Sequence, residues 1–223
     1  MFIPYKDDNP GILIPFFTWA IIVINILIFL YQSMLTEIEM REFILTYSAI
    51  PARISGEISF ATFLPEILTL LTSVFLHGGF IHLLSNMLFL YIFADNIESI
   101  LGHRKFLFFY LLCGGIATFT QTLFNLSSTT PILGASGAIA GIMAGYILKY
   151  PSARIHVLVF IFPIKLPASI VIGFWFLTQI INSMVNLNQV GGGIAWFSHI
   201  GGFIAGIIIM FIISKGKFYW IKQ

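Results

Sequence analysis

Apolar runs of about twenty residues recur along this chain, and they constrain it more than any other feature. A helix needs roughly 20 largely apolar residues to cross a bilayer. Residues 12–31, 80–101, 106–124, 166–184 and 196–213 meet that length. A sixth run, 136–150, is short, lies between Pro131 and Pro151, and is rich in glycine. That composition predicts a helix packed inside a bundle rather than one facing lipid. Only 9% of the residues are charged and 58% are hydrophobic, against about 25% charged in ordinary soluble domains. These proportions exclude a cytosolic enzyme and a disordered chain. They also exclude a nucleic-acid binder, because no basic patch exists to neutralise phosphates. The sequence predicts an all-α membrane protein, a single domain over 1–223 with six transmembrane helices and the lipid bilayer as its solvent.

The basic residues assign the sides. Lys6, Arg104, Lys105, Lys149, Arg154, Lys165, Lys215, Lys217 and Lys222 fall in the two tails and in the second and fourth loops. Loops one, three and five hold only Arg41 and Arg53. Under the positive-inside rule, this nine-to-two split places both termini in the cytoplasm. Residues 1–11 are then a cytoplasmic tail, and spans two, four and six begin at the outer face. The first span is too long for a signal-peptide core and follows Asp7 and Asp8, so it is read as a retained span. Loop one, residues 36–76, is too long for a bare connection. Its apolar piece 67–76 is too short to cross, and 42–50 suits an interfacial helix. Loop one is expected to sink partly into the outer leaflet.

Polar side chains inside spans are costly and mark function by default. His82 and Asn86 are four apart, hence on one helical face. Ser136 opens span four in G-A-S-G, and His199 opens span six in S-H-I-G-G. A serine, an imidazole and two hydrogen-bonding side chains at one depth are the parts of an acyl-transfer site. Singly, each also has a plain structural reading: a small packing residue, a satisfied helix-end histidine, an amide bonded to a neighbouring helix. Gly137, Gly141 and Gly145 recur every four residues on span four, and Gly202 and Gly206 do so on span six. Such faces let backbones approach closely, and if the two meet they bring Ser136 to His199. Generic helix packing would use the same glycines. Cys113, the single cysteine, cannot form an internal disulfide and reads as a small buried residue. Nothing in the sequence calls for a metal or a cofactor. There is no H-E-x-x-H for a zinc protease and no intramembrane aspartate pair.

These motifs, taken in order, resemble the rhomboid intramembrane serine proteases. The resemblance runs from residue 71 to 214. G-A-S-G-A-I-A-G is similar to the family's nucleophile motif, S-H-I-G-G-F-I-A-G to that of its histidine, and H-G-G-F-I-H-L-L-S-N to its oxyanion segment. G-H-R-K-F-L-F-F-Y-L at Gly102 is also typical of the family's third span. The resemblance implies a rhomboid-like bundle with a Ser136–His199 dyad and no acidic third member, with His82, Asn86 and the Ser136 backbone N–H as oxyanion donors. Asp95 and Glu98, near the cytoplasmic end of span two, are too far away to orient His199. Implied substrates are single-span membrane proteins, cut in or near the outer half of the span at small residues and admitted between spans two and five. Residues 191–193, all glycine, read equally as part of a cap over the site or as a plain linker. The layout points to a bacterial inner membrane with the site opening outward. The family's Trp-Arg pair of loop one is absent. Ala140 stands where many members carry the aromatic residue on which the imidazole packs, so what orients His199 is open. The rival classes are a non-catalytic scaffold of the same family and a transporter. The chain keeps both the serine and the histidine that inactive relatives lack, and shows no duplicated halves.

The charge split generates a test. A tag fused at Gln223 is expected to be reachable only from the cytoplasmic side of sealed vesicles, and access from the opposite side would invert the arrangement.

Overall fold

A computed structural model describes residues 2–9, 11–185 and 195–213. Five of its helices are long and apolar enough to cross a membrane: α1 (Phe16–Met34), α5 (Phe80–Leu101), α6 (His103–Leu123), α8 (Ala168–Val185) and α9 (Trp196–Ile213). The short run expected as a sixth span forms α7 (Ser136–Lys149), of 14 residues. At 1.5 Å per residue it rises about 21 Å, against a hydrocarbon core of about 30 Å. α7 is therefore shorter than the core that its longer neighbours are long enough to cross.

α7 is the centre of the bundle. Residues 137–146 are all buried, and its closest partners are α9 and α6, with α5 behind. The glycine rows of α7 and α9 face each other, the arrangement that their spacing allows. A Cβ on Gly202 would overlap the Gly137 carbonyl, and one on Gly206 would overlap the Gly141 backbone. A Cβ on Gly141 would stand 2.6 Å from Cys113 Sγ and 3.1 Å from the Gly202 carbonyl oxygen. The two helices thus touch backbone to backbone, in parallel and in a four-residue register. Cys113 is fully buried at this contact, filling the small-residue role its sequence position suggests.

Loop one carries several short helical pieces joined by irregular segments. α2 (Glu37–Tyr47) opens with a capping box, in which Thr36 and Glu39 satisfy each other's backbone donors. It begins and ends earlier than the expected 42–50 helix, because Thr36 and Glu39 supply a start signal outside that window. α3 (Pro51–Ile54) follows. The apolar piece is broken into a 3₁₀ turn at Glu66–Leu68, α4 (Thr69–Thr72) and another 3₁₀ turn at Ser73–Phe75. Arg53 is buried and holds the loop together. It donates to the Leu45 carbonyl, to Thr62 Oγ1 at 2.9 Å and to Glu66 Oε2 at 2.5 Å. Its guanidinium also lies 4.1 Å above the Phe60 ring. All four partners of Arg53 lie within loop one, so it braces the loop internally.

The opposite end carries a small sheet absent from the sequence expectation. β1 (Phe2–Asp7), β2 (Arg154–Val159) and β3 (Phe162–Pro167) form an antiparallel sheet in the order β1-β2-β3. The segment expected as a tail is thus an edge strand, and the fourth loop is a hairpin that runs into α8 two residues later than the expected span. The hairpin turns on Phe160, at φ 54°, without the Asn-Gly or Gly signal that marks such turns. β1 docks onto the helix ends through Asp7, whose carboxylate accepts from Tyr146 at 2.6 Å and from Asn96 at 3.2 Å. Burial raises the Asp7 carboxyl above its usual range, against the pull of those hydrogen bonds. Asp8 next to it is held below that range by hydrogen bonds from His156 and then Lys165.

Glu98 has a structural task. α1 follows Pro15 and has no side-chain cap of its own. The Glu98 carboxylate, wholly buried on α5, accepts from Phe17 N at 2.9 Å, Thr18 N at 2.8 Å and Thr18 Oγ1 at 2.7 Å. A carboxylate at a helix N-terminus satisfies orphan donors and complements the dipole.

The glycine contact predicts a contrast between two alanine substitutions. Gly206→Ala must push α7 and α9 apart and is expected to lower the unfolding temperature in detergent, by the 1–3 kcal/mol or more typical of overpacking. Gly173→Ala, on α8 with nothing within 4 Å, is expected to leave it unchanged or raise it. Equal behaviour of the two variants in thermal unfolding would contradict the contact.

Candidate active site

Ser136 is the first residue of α7, half-buried, at the end where the parallel α7–α9 pair begins. His199 lies one turn into α9 and is buried. The glycine register beneath them brings these residues, 63 apart in sequence, into contact: His199 Nε2 lies 2.8 Å from Ser136 Oγ. That is hydrogen-bond distance between a hydroxyl and an imidazole nitrogen.

The turn into α7 is shaped by Gly134. It has φ +120°, and its N–H donates to the Ser73 carbonyl at 2.9 Å. A Cβ there would stand 2.7 Å from His82 Nε2 and 3.7 Å from Asn86 Nδ2. The α5 pair His82 and Asn86 therefore sits against the turn that presents Ser136. Ser136 N–H lies at the helix N-terminus, where backbone donors lack intrahelical partners.

Two further residues complete the site and were passed over in the sequence. His77, in the loop before α5, is buried, and its Nε2 lies 2.9 Å from Asn86 Nδ2. Burial first, and the neighbouring His82 second, push the His77 imidazole down to about 3. It is therefore neutral near pH 7, and Nε2 accepts from the Asn86 amide. His77 is itself seated by Gln32 of α1, which exchanges two 3.2 Å hydrogen bonds with its backbone N–H and C=O. The second residue is Gln179 of α8, whose Oε1 lies 2.7 Å from His199 Nδ1. Trp175, one turn earlier, tilts its ring against the imidazole with centroids 5.6 Å apart. Gln179 is a strongly polar residue within an apolar run, a signal that was present in the sequence, and Gln32 stands one residue past the first run. Ala140 is buried in α7, and the imidazole takes its contacts from α8 instead.

Asp95 and Glu98 belong to the end of α5 away from His82 and Asn86, with their partners there. Among the described residues, no three His, Cys, Asp or Glu side chains gather as a metal-ligating group. Residues 191–193 lie outside the described residues.

Comparison with known proteins adds the family. Residues 64–216 match the family model of the Rhomboid domain. The chain is 32% identical over 147 residues to the presenilin-associated rhomboid-like protein A, mitochondrial, of Danio rerio, covering 63% of this chain and 36% of that protein. It is 30% identical over 157 residues to the mitochondrial rhomboid protein 1 of Saccharomyces cerevisiae, covering 66% and 42%. With RHOMBOID-like protein 4 of Arabidopsis thaliana it shares 31% over 156 residues, covering 69% and 36%. The matched part thus spans less than half the length of each of these relatives.

Proposed function

The chain belongs to the rhomboid family, and from that premise we propose that it is an intramembrane serine endopeptidase acting through Ser136 and His199. The observation that carries the reading is the 2.8 Å contact between Ser136 Oγ and His199 Nε2. A serine hydroxyl is a weak nucleophile until an adjacent base removes its proton. His199 Nε2 takes that proton as Oγ attacks the scissile carbonyl, and returns it to the leaving amine. Water then enters and gives a proton to the same nitrogen as its oxygen bonds the acyl carbon. The nitrogen passes that proton to Ser136 Oγ as the acyl–oxygen bond breaks and the carboxylic acid leaves.

The tetrahedral intermediate needs donors aimed at its oxyanion. Ser136 N–H, His82 and Asn86 supply them in this reading. The Asn86 amide nitrogen carries two N–H groups. One is given to His77, which fixes the amide plane and leaves the other for the oxyanion.

The substrates proposed are single-span membrane proteins, cut in or near the outer half of the span and admitted between α5 and α8. A peptide bond inside a helix is shielded by its own hydrogen bonds, so the segment must unwind to reach Ser136. Opening of the site toward the outer face rests on the charge distribution of the loops. The mitochondrial names of two of the relatives lend no support to the bacterial inner membrane expected from the layout.

Two expectations follow, both read as cleavage of a reconstituted single-span substrate alongside thermal unfolding. Ser136→Ala, His199→Ala and the double variant are expected to fall to one common residual rate, since residues acting as a unit lose about 10⁶-fold together and non-additively. A folded His199→Ala protein that still cuts near the wild-type rate would end the dyad reading. Asn86→Ala removes one oxyanion donor and is expected to slow cleavage by roughly 10²–10³ while leaving it measurable. Unaltered turnover would remove Asn86 from the mechanism.

A further inference from the structure

We infer that Gln179 is the positioning residue of this site, selecting the tautomer in which His199 is a base toward Ser136. The inference rests on the dyad reading and says how the base is set. A neutral imidazole has one N–H and one lone pair, and which nitrogen carries the proton is decided by the partner of the other. His199 can accept from Ser136 at Nε2 only if the proton sits on Nδ1.

The neighbours of Gln179 fix that choice. Its amide oxygen Oε1 lies 2.7 Å from His199 Nδ1. Its amide nitrogen Nε2 donates to the Trp175 carbonyl at 3.0 Å and to Thr178 Oγ1 at 3.0 Å. The Thr178 hydroxyl spends its own proton on the Trp175 carbonyl, at 2.6 Å, so its oxygen is an acceptor toward the amide. Rotating the amide by half a turn would set Oε1 against the Trp175 carbonyl, oxygen to oxygen. The network therefore holds the acceptor end toward the imidazole. Nδ1 must be the donor, and Nε2 keeps its lone pair for the Ser136 hydroxyl. Gln179 is buried, so water does not compete for Nδ1 as it would at a surface.

This assigns to a neutral amide the orienting task that a buried carboxylate performs in a soluble triad. It also answers what holds the imidazole when position 140 is alanine: an acceptor and an indole, both from α8.

The test reads the tautomer directly. ¹⁵N NMR of histidine-labelled protein in detergent micelles, with the His199 signals identified by their loss in His199→Asn, is expected to show Nδ1–H and unprotonated Nε2 in the wild type. Gln179→Met keeps the bulk without the acceptor. It is expected to show mixed tautomers and a roughly 10- to 100-fold lower kcat at unchanged KM, the loss typical of one buried hydrogen-bond partner. Gln179→Glu restores an acceptor oxygen and is expected to recover most of that loss. Wild-type protein with the proton on Nε2 of His199 would overturn the inference, whatever the variants do. So would Gln179→Met turning over at the wild-type rate. Failure of the dyad itself looks different: Ser136→Ala would still cut, with the His199 tautomer as expected here.

Discussion

The absence of side chains between α7 and α9 is the condition on which the site depends. In a bilayer the helices gain nothing from burying apolar surface against one another, since lipid tails are equally apolar. Close backbone approach must supply the packing, and only glycine permits it. Gly137 and Gly141 on one helix meet Gly202 and Gly206 on the other, with no space for a Cβ. Because the two helices run parallel in a four-residue register, the contact fixes not only their separation but the rotation of each about its axis. Ser136 and His199 lie one residue before and three residues before glycines of that contact. Their 2.8 Å separation follows from the rows beneath them.

The buried polar groups sort by what they satisfy. Glu98 caps the start of α1, Arg53 binds loop one together, and Gln32 seats the turn before α5. Each of these bonds backbone groups that would otherwise be unpaired away from water, which costs free energy. Asn86, His77, Gln179 and His199 differ in kind. Each of them also bonds another residue of the site side chain to side chain. A polar residue within an apolar run is therefore not by itself a site residue. Its partner decides.

Spans and glycine rows were legible because each rests on a local pattern, run length and four-residue spacing. Those patterns left the Ser136–His199 meeting conditional, and the family resemblance implied it. The sheet was not legible. β1 contains Pro4, the β2–β3 turn at Phe160 lacks glycine, and the pairing joins residues about 150 apart in sequence, such as Phe2 and Val159. The task of Glu98 was hidden for the same reason: its partners, Phe17 and Thr18, are 81 and 80 residues away. Arg53 counted in the sequence only as a charge on the outer side. The question left by Ala140 was posed correctly, but its answer stands on α8, which no spacing rule connects to position 140.

The two hydrogen bonds of His199 are held with unequal firmness, and that asymmetry follows from the packing. Nε2 faces Ser136 across the glycine contact, the most closely packed pair in the bundle. Nδ1 faces Gln179 on α8, a helix with exposed apolar residues at Ile170, Phe174, Leu177 and Ile181 and a smaller contact with α9 than α7 has. Displacing α8 would remove the acceptor of Nδ1 while leaving Ser136 beside His199, because glycine packing, not α8, sets that distance. Geometry of the nucleophile and choice of tautomer are thus assigned to different helices. The first is built into a contact that cannot loosen without separating α7 from α9. The second depends on whether α8 is seated.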